Sequence, residues 1–347
     1  MRLGIDSFSV RWQGWDAFQV IDYAAMLGLD NVHFSERANL GRLDRLHLAS
    51  IRDYASERGL SLEIGMRSFN RLSTTFDESL GSGEQQLLDM IDAALEVGSP
   101  IVRCFVGMQG DRAGAHSTGQ LIEETVRTLK AVAPQAEDAG ITVAVENHGG
   151  GDLLAMELRD IIEAVDSSHV RVCLDTGNPV YAAEDAVYAT EILAPYTVST
   201  HLRDTLVWET PAGAMVQWAP AGRGSVDLQR IISILEIHAP DVPIDLEIIT
   251  GMEPREIRFL DPEADFWAMY PGMKASAFAR FLDVARKGTP GPLDQIVPGP
   301  GGWPAPAGQL DAFRKQQLDH FEESVAYCRA VLGLQGNQYS PSRGAAS

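Results

Sequence analysis

Four segments of this chain end an apolar run on a side chain able to bind a cation: Val-Ala-Val-Glu146-Asn-His148, Val-Cys-Leu-Asp175-Thr, Ser-Thr-His201-Leu-Arg203-Asp204 and Asp-Leu-Glu247. Three carboxylates and one imidazole suit Mn²⁺, Mg²⁺ or Co²⁺ better than structural zinc, which prefers thiolates. Residues this far apart in sequence meet only if their strands run parallel and side by side. Side chains alternate between the two faces of a strand. Val143 and Val145 therefore oppose Thr142, Ala144, Glu146 and His148, and Val172 and Leu174 oppose Cys173 and Asp175. Likewise Val198 opposes Ser199, His201 and Arg203, while Ile244, Leu246 and Ile248 oppose Asp245 and Glu247. Any one of these ligand-type residues is explained by an ordinary polar strand end. All four in phase point to one cation site at Glu146, Asp175, His201 and Glu247.

The elements that must position them follow a repeating pattern of short β-branched run, loop and amphipathic helix. Strands are expected near residues 2–6, 30–34, 60–65, 100–106, 141–146, 170–175, 197–202 and 242–248. Helices are expected over 16–28, 43–58, 84–98, 119–139, 155–166, 184–194, 227–239 and 310–332. Within the third helix Leu87, Leu88, Ile91, Ala94 and Leu95 recur at the spacing of one buried face. Strands alternating with helices give right-handed βαβ units and a parallel sheet. Eight such units predict an α/β fold, a single (β/α)₈ TIM barrel spanning residues 1–334, with the candidate ligands on its C-terminal rim. No Gly-rich turn follows the first strand, so the dinucleotide fingerprint is missing.

One stretch interrupts the rhythm. Between strand 8 and the last helix, residues 251–309 form a Pro/Gly/aromatic-rich insertion holding nine of the 18 prolines, together with Phe259, Phe266, Trp267, Tyr270 and Trp303. A connection longer than about 15 residues is usually functional or disordered. As a βα connection, this one emerges on the catalytic rim, beside or over the site, with a short helix near 275–287. Residues 335–347 read as a flexible polar tail.

Other residues supplement the ligand set. His148 shares the face of Glu146 and is a candidate general base, since an imidazole exchanges a proton near neutral pH. A rim histidine that only hydrogen-bonds substrate explains it equally well. Arg203, in phase with His201, is a candidate substrate or carboxylate contact, whereas Asp204 points the other way and supports the loop. His33, Glu36 and Arg103 on early strands, and Trp12 and Trp15 after the first, are candidates for a polyol pocket, the tryptophans by stacking. In Gly222-Arg223-Gly224-Ser225, backbone N–H groups offer an anion site, but Ser225 as a helix N-cap is the simpler reading.

Composition narrows the function. The 48 acidic residues outnumber 28 basic ones for a net charge of −20, which argues against nucleic-acid binding. No apolar run is long enough for a membrane helix, and strand-like sequence from Leu3 leaves no room for a secretory signal. Three scattered cysteines suit a reducing cytoplasm. None of the four lysines ends a strand, which excludes a Schiff-base barrel aldolase, and no Gly-x-Ser-x-Gly elbow is present.

Glu146 in Val-Glu-Asn-His-Gly-Gly, Asp175 in Leu-Asp-Thr-Gly-Asn, His201 in His-Leu-Arg-Asp, Gly-Arg-Gly-x-Val-Asp227 and Glu247 together resemble the xylose-isomerase-like superfamily of sugar isomerases and epimerases. The resemblance covers about residues 1–250 and the last helix. It implies one divalent cation, commonly manganese, on the four matching positions, holding adjacent oxygens of a sugar. Ketose 3-epimerases look like Asp-x-x-His after strand 6, but here the fourth residue is Asn178. Glu146-Asn-His148 with Asp265-Phe266-Trp267-x-x-Tyr270-Pro271 looks more like the α-subunits of C-glycoside deglycosidases. That likeness implies a hetero-oligomer with a small β-subunit and lyase-type cleavage of 3-oxo-C-glycosides, with His148 taking the C2 proton. An isomerase or 3-epimerase would instead use Glu146 and Glu247 as opposed bases. A metal-stabilised barrel subunit without turnover is a third reading.

Overall fold

A computed structural model describes residues 1–298 and 307–335. Eight strands form the central sheet: β1 (Leu3–Asp6), β2 (Asn31–Phe34), β3 (Ser61–Ser68), β4 (Ile101–Phe105), β5 (Thr142–Glu146), β6 (Val170–Asp175), β7 (Thr197–His201) and β10 (Ile244–Leu246). Their order is β10-β1-β2-β3-β4-β5-β6-β7, with parallel neighbours throughout. Leu202, just past β7, bridges Leu246: its N–H donates to Asp245 O at 2.7 Å, and Glu247 N–H donates back to it at 3.2 Å. The sheet thereby closes into the expected TIM barrel.

Helices surround it: α1 (Ala17–Met26), α2 (Arg45–Ser56), α3 (Gly83–Val97), α4 (Thr118–Ala139), α5 (Ala155–Val165), α6 (Asn178–Tyr181), α7 (Ala186–Leu193), α8 (Leu228–His238) and, last, α11 (Leu310–Ala330). Side chains of Asp16, Asp44, Ser82 and Ser117 accept backbone N–H groups in the first turns of α1 to α4. Each such cap is worth about 1 kcal/mol. Val143, Val145, Val172 and Leu174 are fully buried in the main apolar core, which includes the helix residues Leu129, Leu158 and Ile161. Burying each contributes roughly 1.5–3 kcal/mol. Ala144 and Cys173 instead pack with Ile101 in a separate small cluster. Bulk outside and small or polar groups inside is the arrangement the alternation predicts.

Three features depart from expectation. Between β7 and α8 the chain forms a hairpin of β8 (Asp204–Thr210) and β9 (Gly213–Ala219), and β11 (Arg255–Ile257) adds to it in the order β11-β9-β8. The helix expected over 184–194 is α7, and the short α6 before it is unexpected. Ser225 does not cap α8; Asp227 does, and the Ser225 hydroxyl accepts from Val207 N–H. The glycine-rich turn before α8 already serves a carboxylate of the chain itself. Gly222, Gly224 and Val226 donate their N–H groups to Asp204, the loop-supporting role foreseen for that residue.

Beyond β10, α9 (Phe266–Met269) and α10 (Ala275–Lys287) follow β11. Phe259, Phe266, Trp267 and Phe278 form a small edge-to-face aromatic cluster there. Trp303 and residues 336–347 lie outside the described residues. Among the described residues, no helix is long and apolar enough to cross a membrane.

Candidate metal centre and cavity

Parallel register carries the four strand-end residues to one point. One ligand atom from each of Glu146, Asp175, His201 and Glu247 lies within 4.8 Å of the others, and all four residues are buried. His201 Nδ1 sits 3.1 Å from Glu146 Oε2 and 3.0 Å from Glu247 Oε2. Donors about 3 Å apart are what a cation with bonds of about 2.0–2.2 Å needs around it. Asp175 Oδ2 and His201 Nδ1 are buried and make no well-directed hydrogen bond, although Arg203 Nε and the two glutamates lie about 3 Å from them. Buried polar atoms without a well-directed hydrogen bond cost free energy unless something binds them. The group can therefore hold a metal ion, and the donor set fits a divalent one.

Arginines flank the carboxylates. Arg103 pairs with Glu146, and Arg203 pairs with Glu247 and, at 2.8 Å, with Asp175. Burial opposes ionisation of Glu146 and Glu247, but Arg103, Arg203 and His201 outweigh it and hold both well below the usual carboxylate range. Burial wins at Asp175, pushing it up to about 7 against the pull of Arg203. This residue also accepts from the N–H groups of Gly177 and Asn178, at 2.7 and 2.6 Å.

Beneath the ligands lies a pair that strand-end reasoning did not single out as supports. His201 Nε2 faces His33 Nδ1 at 3.2 Å and Asp6 Oδ2 at 3.5 Å. Against the cost of burial, the neighbouring carboxylates by themselves hold His201 protonated. With a cation bound, a proton kept on Nε2 toward these acceptors would leave Nδ1 as the ligand atom. Asp6 ends β1 as the other ligands end their strands, so the signal was present but unread.

Above the cluster opens a cavity of about 540 Å³. Its wall includes Phe105, His148, Asn178, Tyr181, Arg203 and Trp218. The His148 ring stacks on Phe105 at 3.7 Å, and its Nδ1 lies 3.1 Å from Gly107 O. Nδ1–H donating there leaves the Nε2 lone pair free. Burial pushes His148 down to about 4, against the opposing effect of Glu146. Tyr181 and Trp218, also in the wall, stack at 4.2 Å. Trp218 comes from the unforeseen hairpin and reaches the wall because residue 177 is glycine; a Cβ there would lie 2.3 Å from its ring.

Arg103 and Arg203 line this cavity as expected, and Glu247, Met252 and Arg255 bring the end of β10 and the start of the insertion to it. His33 is a correction: it is fully buried under His201 and is not among the cavity-lining residues. Trp12 packs edge-on against Phe313 of α11, and Trp15 packs against Tyr23 of α1. Neither tryptophan lines the cavity, because the turn after β1 folds outward onto helices. Tyr270, in the insertion, also stays out of the cavity; its hydroxyl donates to Gly151 O and accepts from Gln109.

Comparison with known proteins agrees with the barrel. The family profile described as xylose isomerase-like TIM barrel matches residues 21–263. A curated relative, 3-oxo-isoapionate decarboxylase of Pectobacterium atrosepticum, is 24% identical over 191 residues, 55% of this chain. The match spans 56% of that relative, about half its length. Among solved structures, D-psicose 3-epimerase with D-tagatose from Clostridium cellulolyticum H10 is 16% identical with a TM-score of 0.61, covering 96% of this chain and 99% of that one. The IOLI protein with a bound zinc atom is 15% identical with a TM-score of 0.58, covering 82% and 96%. At these identities the structural likenesses speak to the fold. The length of the family match decides membership: this chain belongs to the xylose isomerase-like TIM barrel family.

Proposed function

We propose that this chain is a divalent-metal-dependent, sugar-active enzyme that removes a proton beside a keto-sugar carbonyl, and that it acts as the α-subunit of a C-glycoside deglycosidase. Glu146, Asp175, His201 and Glu247 would hold the cation, with manganese the expected ion. Bound there, a divalent cation supplies Lewis-acid polarisation of a carbonyl oxygen. The observation that carries the reading is His148: among the cavity-lining residues it is the one imidazole, it shares that lining with Glu247, and its Nδ1 rather than its Nε2 meets Gly107 O.

In this reading the chain's own groups divide the work. Tyr181 and Trp218 provide a flat wall for a ring, and Arg103 and Arg203 hold the carboxylates in place. His148 Nε2 takes the proton from C2 of a 3-oxo-glycoside. The C–H electron pair passes into the enolate and returns to form the C1=C2 bond as the C1–aglycone bond breaks, that pair leaving with the aglycone carbon, which takes up the proton held by His148. One base followed by departure of a leaving group gives elimination, whereas inversion needs a second base on the opposite face.

Two findings support a lone base. Asn178 stands where an epimerase would carry histidine, and it is occupied in accepting from Gly150 N–H. Glu146 and Glu247 are tied to arginines. The curated relative's name describes decarboxylation of a 3-oxo compound, and loss of CO₂ from a 3-oxo acid also leaves an enolate beside a carbonyl.

The test is to incubate the Mn²⁺-loaded chain with a 3-oxo-C-glucoside, with and without any small protein that co-purifies from the source cells. Release of aglycone only when both proteins are present is the expected result. Inversion of free fructose or tagatose by the lone chain would establish an epimerase instead. Absence of turnover on every sugar, with unfolding on metal removal, would make it a structural subunit.

A further inference from the structure

Asp152 is buried in the loop between β5 and α5, and both of its carboxylate oxygens are occupied by backbone N–H groups. Oδ1 accepts from His148 at 2.8 Å and from Leu153 at 2.7 Å, and Oδ2 accepts from Gly107 at 3.0 Å. The donors belong to two loops, since Gly107 follows β4 and His148 follows β5. Three N–H groups converging on one side chain suit a carboxylate, which accepts at both oxygens. An amide in its place would turn its NH₂ toward another donor.

The bridge to Gly107 matters because the same residue meets the His148 ring. Its carbonyl oxygen lies 3.1 Å from Nδ1, and a carbonyl accepts without donating, so the ring proton is drawn to Nδ1. The peptide carrying that carbonyl is held at its other end, where Met108 N–H donates to Asp111 Oδ2 at 2.9 Å. Gly107 is thus fixed from both sides by carboxylates. The loops also approach directly. Gln109 N–H donates to Gly149 O at 3.0 Å, and Gly149 has a φ of 62°, with a Cβ there falling 2.6 Å from Gly107 O. From the insertion, the Tyr270 hydroxyl donates to Gly151 O, while Arg112 donates to both Met269 O and Asp152 O. This part of the insertion braces the His148 loop.

An ordinary loop staple explains the bonds from His148 and Leu153, which lie on one turn. It does not call for the bond from Gly107, 45 residues away, whose carbonyl receives the ring. We infer that Asp152 is a positioning residue: by fixing the main chain at His148 and at Gly107, it holds the Gly107 carbonyl to Nδ1 and leaves Nε2 as the atom that takes the proton. The role of Nε2 as base rests on the proposed function; the coupling of Asp152 to the ring stands on the hydrogen bonds alone.

The test reads the ring directly. The Mg²⁺-loaded chain, labelled with ¹⁵N-histidine, is observed by long-range ¹H–¹⁵N spectroscopy at mildly alkaline pH, where the ring is neutral. His148 is identified by the signals lost in His148→Gln. Wild type is expected to carry the ring proton on Nδ1. Asp152→Asn, and Asp152→Ser should the amide impair folding, are expected to move at least half of it to Nε2. Glu157→Gln is the control, because Glu157 accepts from Leu154 N–H at the start of α5 and pairs with Arg112 without touching the Asp152 side chain. It should lower the melting temperature and leave the tautomer alone. For a 3-oxo-C-glycoside turned over together with the co-purifying protein, kcat should fall about 100-fold in the Asp152 variants at unchanged KM. A wild-type ring protonated at Nε2, an unchanged tautomer in a folded Asp152 variant, an equal shift in Glu157→Gln, or a loss confined to KM would overturn the role of Asp152. If no glycoside is turned over, the proposed reaction fails, and the ring signals still decide whether Asp152 sets the tautomer.

Discussion

Strands β5, β6, β7 and β10 end on Glu146, Asp175, His201 and Glu247, four side chains that converge within 4.8 Å. The opposite half of the barrel delivers none of that set. Instead β1 and β2 put Asp6 and His33 under His201, and β4 puts Arg103 against Glu146. The end of β3 adds Arg67 to the cavity wall and to that of a second, smaller cavity. One half thus carries donors for a cation, the other carries their props and a counter-charge, and both contribute to the cavity wall. A buried cluster of carboxylates is costly alone, and Arg103 from the second half together with Arg203 from the first makes it tolerable. The lesson is that ligand geometry here is a property of both halves.

The largest expected effect comes from breaking the donor half. A Glu146→Ala/Glu247→Ala double variant should lose metal retention altogether, read by elemental analysis after gel filtration; metal retained at one per chain would refute the site. Next, His148→Ala should keep its metal and lose turnover by about 10²–10⁴-fold, the usual contribution of a general base. Full activity in that variant would move the base elsewhere. A smaller effect tests the props. Asp6→Asn should weaken metal affinity by roughly 10–100-fold while leaving the four ligands intact. Unaltered affinity would show that His33 alone orients His201.

The smallest effect concerns how the donor half is pinned. Glu184 is buried and accepts from Ala155 N–H at the start of α5, just beyond the loop that carries His148. Burial pushes it up to about 8. An acid whose folded pKa is raised contributes stability fully present below its unfolded value and lost as pH rises through the folded one. Wild type should therefore lose stability between about pH 4.5 and 8. Glu184→Gln should lose less stability than wild type over that range and be more stable at pH 8 by on the order of 3 kcal/mol. Parallel denaturation curves at pH 6 and 8 decide it; equal slopes in both proteins would mean that Glu184 stays ionised.

Much of this was legible because a strand's alternation is local. The eight barrel strands and the shared phase of Glu146, Asp175, His201 and Glu247 follow from residue types within a few positions of each other. The hairpin at 204–219 carried a signal that went unused: Leu206 and Trp208 alternate, and Thr210-Pro-Ala-Gly213 is a turn. Its strands form a separate sheet, so βα counting had no place for them. Trp12 and Trp15 misled for a different reason. Aromatic residues after a strand can turn toward the cavity or onto helices, and only the packing against Phe313 and Tyr23 chose the latter.

By itself, the sequence determined the barrel, its ligand strands and the direction in which each candidate ligand points. Those depend on hydrophobic periodicity, which acts over a few residues. The tertiary structure decided what lies next to what: Asp6 and His33 beside His201, Trp218 and His148 in one cavity wall, and a second space that shares Arg67 with the first. These juxtapositions come from loop paths and from strand neighbours distant in the chain. They are selected by packing and by pairing of buried charges, and no local pattern encodes either.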